Sequence, residues 1–535
     1  MTGTSNSQKR SKKMQQKDQP YFGSFENEQM DCDIKKNLKK LKEDLGNSND
    51  LVTREIVSGT PNLTVAFVYI DGLTDTTSVS EFTIQTVMDE IGKIPSKEEL
   101  HGEYILNVLK EKSFTIGELN VLTDWKMVYQ HLISGDTIVF IDGCAEGIAA
   151  GTKGGERRSV SEPTAQTVIR GPREGFTESI RTNTALLRRK IKSPYLWLEE
   201  TQIGRVTQTD VGIMYIHGIV EEEIVQEVRE RLGSIDIDGI LESGYIEELI
   251  ETTHVTLFPT IYNSERPDVI AANLLEGRVA ILVDGTPFVL LVPTTFNMFF
   301  QSAEDYYQRF DVGSLIRVLR YISFVIGLLL PSFYVAIINF HQEMIPTSWL
   351  LKLAVQREGV PFPAVVETFI MELIFEVLRE AGVRMPRTVG STISIVGGLV
   401  LGEAAVEAGI VSAAAVIVVS LTAIASFVSP TYNMGIAARM LRFILLIFAS
   451  ILGMYGISIF LLLLVLHLCS LKSIKVPYMA PYAPLVTSDM KDSFFRFPFS
   501  KMKKRPKLIN QKNPVRFRSD GQPENYSAKQ TKEKP

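Results

Sequence analysis

The sequence predicts an α/β soluble region of two duplicated mixed-sheet modules, followed by an all-α polytopic membrane domain. Three observations carry that prediction. Apolar residues concentrate late, after about residue 318, where Tyr321 to Phe340 alone is long enough to cross a hydrocarbon core of about 30 Å. The front half twice repeats one pattern: a helix-like run, a glycine, a strand and an Asp-Gly turn. The stretch from Arg387 to Pro430 is apolar yet built mostly from Gly, Ala, Ser and Val. A helix so small in cross-section wants close neighbours, and Gly398-xxx-Gly402 is the spacing that lets backbones approach.

Composition narrows the class further. The chain has 535 residues and a formal net charge of -5, so its average charge does not point to nucleic acid. Basic residues crowd both ends: Lys9, Arg10, Lys12 and Lys13 at the start, and Lys501, Lys503, Lys504, Arg505 and Lys507 near the finish. Cys32, Cys144 and Cys469 are odd in number and far apart, so neither a disulfide framework nor a metal site is expected. No apolar h-region opens the chain, which argues against a cleaved secretory signal.

Residues 1–30 are polar and rich in Ser, Lys and Gln, a composition that buries no core, so a disordered tail is expected. The first cytoplasmic module, with a linker helix, is placed at 31–195 and the second at 196–300. An amphipathic helix opens the first, with Ile34, Leu38, Leu41 and Leu45 on one stripe and Gly46 as C-cap. The duplicated elements are VAFVYIDG (Val65 to Gly72) with YQHLISGDTIVFIDG (Tyr129 to Gly143), and GIMYIHG (Gly212 to Gly218) with AANLLEGRVAILVDG (Ala271 to Gly285). The interval from Gly135 to Gly143 equals that from Gly277 to Gly285. Each Asp-Gly predicts a tight primed hairpin turn with both central residues at positive φ, and a second strand after it. Helical patterns follow the early strands, at Ser78 to Ile91 and Glu221 to Leu232. Asp71, Asp142, Asp284 and His217 recur at strand ends. Turn chemistry explains them more cheaply than a ligand does.

Between the modules, Phe176, Ile180, Leu187 and Ile191 form one helical stripe decorated by Arg173, Arg181, Arg188 and Arg189. This helix is expected to cross from one module to the other or to a neighbouring subunit. No reading helix, zinc finger or aromatic platform accompanies it, so no nucleic-acid partner is expected. The glycine-rich GCAEGIAAGTKGGERRS lacks the G-x-x-x-x-G-K-[ST] order of a phosphate loop and reads as hairpin and linker.

The transmembrane domain is placed at 301–475. Pro331 inside Tyr321 to Phe340 predicts a kink. Arg309, Arg317 and Arg320 precede that run while His341, Gln342 and Glu343 follow it, which puts the front half in the cytoplasm under the positive-inside rule. In PFPAVVETFIMELIFEVLREAG, Glu372, Glu376 and Glu380 stack at i, i+4 opposite an apolar face, so the helix is expected at the membrane surface or packed against a basic or aqueous wall, with Arg379, Arg384 and Arg387 near enough to be partners. The small-residue stretch follows as two pieces broken near Ala408-Gly409, then TYNMGIAARMLR as a polar connector. Phe443 to Leu471 exceeds one span, so Gly453 and Gly456 mark either a hairpin or a hinge. A basic, Pro-rich C-terminal tail is placed at 476–535.

Several long motifs resemble one family. They are SEPTAQTVIRGPREGFTESIRTNTALLRRKIKSP, RPDVIAANLLEGRVAILVDGTPFVLLVPTTF, REGVPFPAVVETFIMELIFEVLREAGVRMP, VGSTISIVGGLVLGEAAVEAGIVSAAAVIVVS and NPVRFR. Together they are similar to the A subunits of the GerA-type nutrient germination receptors of endospore-forming bacteria. The resemblance runs from about residue 50 to about 518. The stage V sporulation protein AF shares the architecture. The resemblance implies a multi-pass subunit of the spore inner membrane, with a transporter-like B subunit and a lipoprotein C subunit as partners. It further implies a ring of copies forming a nutrient-gated cation channel, and no enzymatic activity.

On that reading the pore wall is the helix from Val389 to Gly402, with Ser394, Val396, Val400, Glu403 and Glu407 as pore-lining candidates. Carboxylates near such a path favour cations. Subunit-interface candidates are Arg173, Arg181, Arg188, Glu372, Glu376, Gly398 and Gly402. Other readings stay open: a signalling scaffold that does not conduct, an AF-like accessory, or a tightly packed helix pair and nothing more. A secondary transporter usually repeats inside its membrane region, whereas the repeat here is in the soluble region. No catalytic constellation is present in the sequence, and no cofactor or metal is expected.

Overall fold

The computed structural model describes residues 28–58, 63–92, 119–154, 168–253, 255–384, 402–510 and 513–516, together with Phe25, Leu106, Pro163 and Gln166. Ser394, Val396, Gly398 and Val400 lie outside the described residues, as do most of the N-terminal tail and the chain from 517 on.

Strands β1 (Leu51–Ser58), β2 (Leu63–Ile70), β3 (Leu119–Leu122), β4 (Thr137–Ile141) and β5 (Gly147–Ala150) form one sheet in the order β1-β2-β4-β5-β3. Strands β6 (Leu196–Ile203), β7 (Thr209–Ile216), β8 (Tyr262–Ser264), β9 (Val279–Val283) and β10 (Val289–Val292) form a second in the order β6-β7-β9-β10-β8. Every neighbouring pair in both is antiparallel. The expectation of mixed sheets is therefore corrected. Tight connections such as β4–β5 and β6–β7 return the chain beside itself, which only antiparallel pairing allows, and the intervening helices do not deliver a strand to a parallel neighbour.

Alternation with period two gives each central strand two buried faces. In the first sheet Ala66, Val68, Ile138 and Phe140 pack with helices α1 (Ile34–Asp44) and α3 (Trp125–Ile133), while Val65, Phe67, Val139 and Ile141 face Val87 and Ile91 near α2 (Gln85–Gly92). The second sheet packs Ala280 and Leu282 on helices α4 (Ile180–Lys190) and α7 (Pro267–Leu274). Its Val279 and Ile281 face α5 (Glu222–Gly233) and α6 (Ser243–Ile250).

The Asp-Gly turns differ from the primed form expected. Gly143 and Gly285 have φ of +79° and +87°, but Asp142 and Asp284 are not in the left-handed region. Their carboxylates serve a helix instead. Asp142 Oδ1 accepts from the Ile34 amide (3.4 Å) at the start of α1, and Asp284 Oδ1 accepts from the Ile180 amide (3.0 Å) at the start of α4. Each glycine amide donates to the segment leading into the same helix, Gly143 to Cys32 O and Gly285 to Glu178 O. Asn37 and Asn183 likewise each hold a backbone amide and carbonyl six residues earlier, those of Asp31 and Thr177. The helix read from sequence as a linker thus does for the second sheet what α1 does for the first.

After the short helix α8 (Glu304–Tyr307) comes α9 (Phe310–Phe340), which continues past Pro331. Helices α10 (Thr347–Arg357), α11 (Ala364–Arg384), α12 (Ala413–Phe427), α13 (Tyr432–Leu452) and α14 (Met454–Ser470) follow, with residues 402–407 also helical. Among the described residues α9 and α13 are long and apolar enough to cross a membrane. The expected connector TYNMGIAARMLR is instead the first three turns of α13. Its small residues Gly435, Ala437 and Ala438 are buried, and its arginines find acidic partners.

Between α13 and α14 the chain makes a hairpin. Phe448 and Phe460, twelve positions apart, bring their rings to 5.5 Å, whereas a straight helix would separate them by about 18 Å. Gly453 supplies the turn at φ +60°, and Gly456 sits where a Cβ would stand 2.2 Å from Phe448 O. The hairpin is held to segments flanking the second sheet: Thr431 Oγ1 donates to Phe299 O (3.3 Å), and Thr256 Oγ1 lies 3.0 Å from His467 Nε2.

The described part of the basic tail is not a free extension. Ile474 and Val476 enter the core beneath the second sheet, and Tyr478 is fully buried. Ser473 Oγ joins Thr260 O (2.6 Å) to the Thr294 amide (2.9 Å). Buried residues thus lie on both sides of position 476, and charge and proline content do not register that burial.

Candidate functional site

Two charged assemblies organise the chain below and within the apolar helices. The lower one joins three segments at the foot of α9. Asp305, in α8, is held by two arginines one turn apart. Arg317 Nε donates to its Oδ2 (3.0 Å), and Arg320 Nη1 to Oδ1 and Oδ2 (2.8 and 2.9 Å). Arg317 Nη1 also reaches Asp492 Oδ1 (2.8 Å) and the Ser493 carbonyl (3.1 Å) in the returning tail. Arg317 is completely buried, as is all but 1% of Asp305. Asp492 accepts in addition from Tyr306 OH (2.8 Å), and its carbonyl accepts from Asn297 and Gln301. Burial, reinforced by the Asp492 charge, pushes the Tyr306 phenol well above its ordinary range and keeps it a donor. Arg317 and Arg320, read from sequence as topological charges, are thus paired and fix the tail and the second sheet to α9.

The linker helix performs similar work between the sheets. Arg188 is buried and forms a two-pronged pair with Asp50, while its Nη1 donates to Leu196 O (3.0 Å). Arg181 clamps Glu200 with two bonds of 2.7 and 2.9 Å and lies 3.5 Å from Asp71. Expected at a subunit interface, Arg188 instead sits wholly inside one chain, and Arg181 is engaged there too. Arg173 is exposed.

The upper assembly lies between α11 and α13. Arg442 Nη1 stands 2.5 Å from Glu372 Oε2, with both side chains buried, and one turn away Arg439 pairs with Glu376. Glu380 pairs with Arg384, as the i, i+4 spacing allows. The sequence left this ladder at the membrane surface or against a basic or aqueous wall, with Arg379, Arg384 or Arg387 near enough to be partners and Glu372 and Glu376 as subunit-interface candidates. Their partners come from α13, 70 and 63 residues on. Arg379 faces Ser426 and the Phe427 ring instead. Glu367 accepts from the Ser412 amide at the start of α12 and lies 3.8 Å from Arg357.

Glu403 and Glu407 differ from these acids. They lie on the helical residues 402–407, both are exposed, and among the described residues neither has an ionic partner. Gly402 is buried, and a Cβ there would meet Val416 Cγ1 at 3.6 Å. The arrangement therefore presents two exposed carboxylates, without an ionic partner among the described residues, beside an ordinary van der Waals contact between helices.

The fold and these assemblies define a class: an α/β front half wired by buried arginines to a helical half in which, among the described residues, two helices are of membrane-crossing length. Relatives fix the family. The pattern described as Bacillus/Clostridium GerA spore germination protein matches residues 39–508, and the chain belongs to that family. It is 49% identical over 492 residues to spore germination protein KA of Bacillus subtilis (strain 168), covering 92% of this chain and 89% of that one. It is 43% identical over 480 residues to the uncharacterized membrane protein YfkQ of the same strain, covering 90% and 92% of the two chains. A crystal structure of the N-terminal domain of the A subunit of the Bacillus megaterium spore germinant receptor GerK3 is 44% identical. It covers 50% of this chain and 97% of that one, with a TM-score of 0.41.

Proposed function

We propose that this chain is the multi-pass membrane subunit of a nutrient-sensing spore germination receptor, and that copies of it assemble into a nutrient-gated cation channel. The observation that carries this reading is the pair of exposed carboxylates, Glu403 and Glu407, which have no ionic partner among the described residues of the apolar half. A charge at membrane depth is retained where it faces water or a partner. The preceding small-residue segment, with Ser394, Val396 and Val400, supplies the pore wall. The Gly398-xxx-Gly402 spacing suits close helix packing, with Gly402 set against Val416 of α12 in the same chain and Gly398 left for a neighbouring copy. The soluble half faces the cytoplasm, its two sheets descend from one duplicated unit, and its exposed Arg173 contacts a neighbouring copy. A transporter-like B subunit holds the nutrient and a lipoprotein C subunit completes the receptor in the spore inner membrane.

A second reading has its own support. The buried links at Arg188 and Arg317 make the soluble half and α9 a continuous lever, which suits a scaffold that transmits a signal without conducting. Recording from the receptor reconstituted with its partners in a planar bilayer separates the two. The channel reading expects cation currents when nutrient is added. A membrane that stays silent with all partners present contradicts it.

A further inference from the structure

We propose that residues 491–507 form a docking surface for anionic phospholipid headgroups at the foot of α9. The segment KDSFFRFPFSKMKKRPK contains seven basic residues against one acidic residue, interleaved with four phenylalanines. Phe494, Phe495, Phe497 and Phe499 are all exposed, Phe495 to 58%. Lys491, Lys501, Lys503 and Lys504, with Arg516, outnumber Glu276, Asp489 and Asp492 around one cleft of about 280 Å³, and among the described residues none of the four lysines has an ion-pair partner. Exposed aromatic rings beside unpaired lysines are the composition that settles at a bilayer surface, with rings at headgroup depth and ammonium groups on lipid phosphate.

Position supports this chemistry. Ser314, in the first turns of α9, accepts from the Arg496 amide (3.1 Å) and donates to the Arg496 carbonyl (2.9 Å). Phe494 packs on Tyr321 with ring centroids 4.6 Å apart, where the apolar run of α9 begins. The surface is therefore continuous with the helix that enters the bilayer. Asp492, which holds Arg317, opens the same segment. Lipid contact here bears directly on the junction between tail, second sheet and α9. Charge complementarity and this continuity single out the lipid surface as the occupant.

The inference rests on α9 crossing the bilayer, which incorporation of the full chain into lipid nanodiscs reports separately. The test compares amide hydrogen exchange of 491–507 in discs of phosphatidylcholine alone and in discs containing phosphatidylglycerol. Anionic lipid is expected to slow exchange about fivefold or more, since each basic residue near an anionic surface gains about 1 kcal/mol. The combined variant Lys491→Gln, Lys501→Gln, Lys503→Gln, Lys504→Gln loses that protection while still entering the discs. Equal exchange in the two lipids overturns the proposal. Protection reproduced by free glycerophosphate in phosphatidylcholine discs also overturns it, because the site would then be a phosphate pocket and not a membrane surface.

Discussion

Arg442 on α13 and Glu372 on α11 form a buried pair, Nη1 to Oε2 2.5 Å, with 3% and 2% of their side chains exposed. Together with Arg439 and Glu376 one turn along, it ties two helices far apart in the chain. Removing one member leaves the other charge buried and uncompensated. Arg442→Ala or Glu372→Ala should therefore destabilise the chain by about 3–5 kcal/mol. The double change Glu372→Leu, Arg442→Leu should recover most of the loss. Thermal unfolding of the purified protein in detergent checks both. A double variant as unstable as the singles would mean that the pair is not the cause.

The carboxylates that follow β4 and β9 provide a matched comparison. Asp142→Ala and Asp284→Ala should each cost about 0.5–2 kcal/mol, the range for losing an acceptor at a helix N-terminus. Asp284 should cost more, because its bond to the Ile180 amide is 3.0 Å against 3.4 Å for the bond from Asp142 to Ile34. Denaturant unfolding of the two variants gives the comparison.

At the foot of α9, Asp492→Asn keeps the shape of the site and removes a charge that Arg317 needs. A hydrogen bond to a charged group is worth about 1.5–3 kcal/mol, so the melting temperature should fall accordingly. Spores carrying the variant at normal receptor levels should also germinate more slowly with nutrient. Unchanged germination despite the lower melting temperature would show the junction to be structural only.

Glu247 gives a pH dependence. It is half-buried on α6, receives a bond from Asn263 Nδ2 (3.2 Å), and burial pushes its carboxyl up to about 7. An unfolded glutamate titrates near 4.3. The raised value means the fold favours the protonated form. Its contribution is fully present below about pH 4.3 and is lost as pH rises through about 7. Glu247→Gln should raise the melting temperature more at about pH 8 than at about pH 5. An equal gain at both values would contradict the assignment.

Local signals were legible in the sequence and distant ones were not. The Asp-Gly turns, the stripe of α1 and the Glu372-Glu376-Glu380 ladder follow from spacing within one element. What the Asp142 and Asp284 carboxylates hold lies 108 and 104 residues earlier, and no periodicity points there. Arg439 and Arg442 made TYNMGIAARMLR look like a polar connector, since hydropathy counts a neutralised arginine as a free one. Nor do the lysines and prolines of the tail register that Tyr478 and Asn510 are buried within it. Glu403 and Glu407 stood out from the start as acids in an apolar stretch, and the structure leaves both exposed.

Those two glutamates allow the most direct test. The reversal potential of nutrient-evoked current is measured across asymmetric salt, for the native receptor and for one carrying Glu403→Gln and Glu407→Gln. A cation-selective potential is expected in the native receptor, with a shift on the order of tens of millivolts toward zero in the variant, as the carboxylates near the path are neutralised. A variant that conducts with the native potential would contradict that expectation.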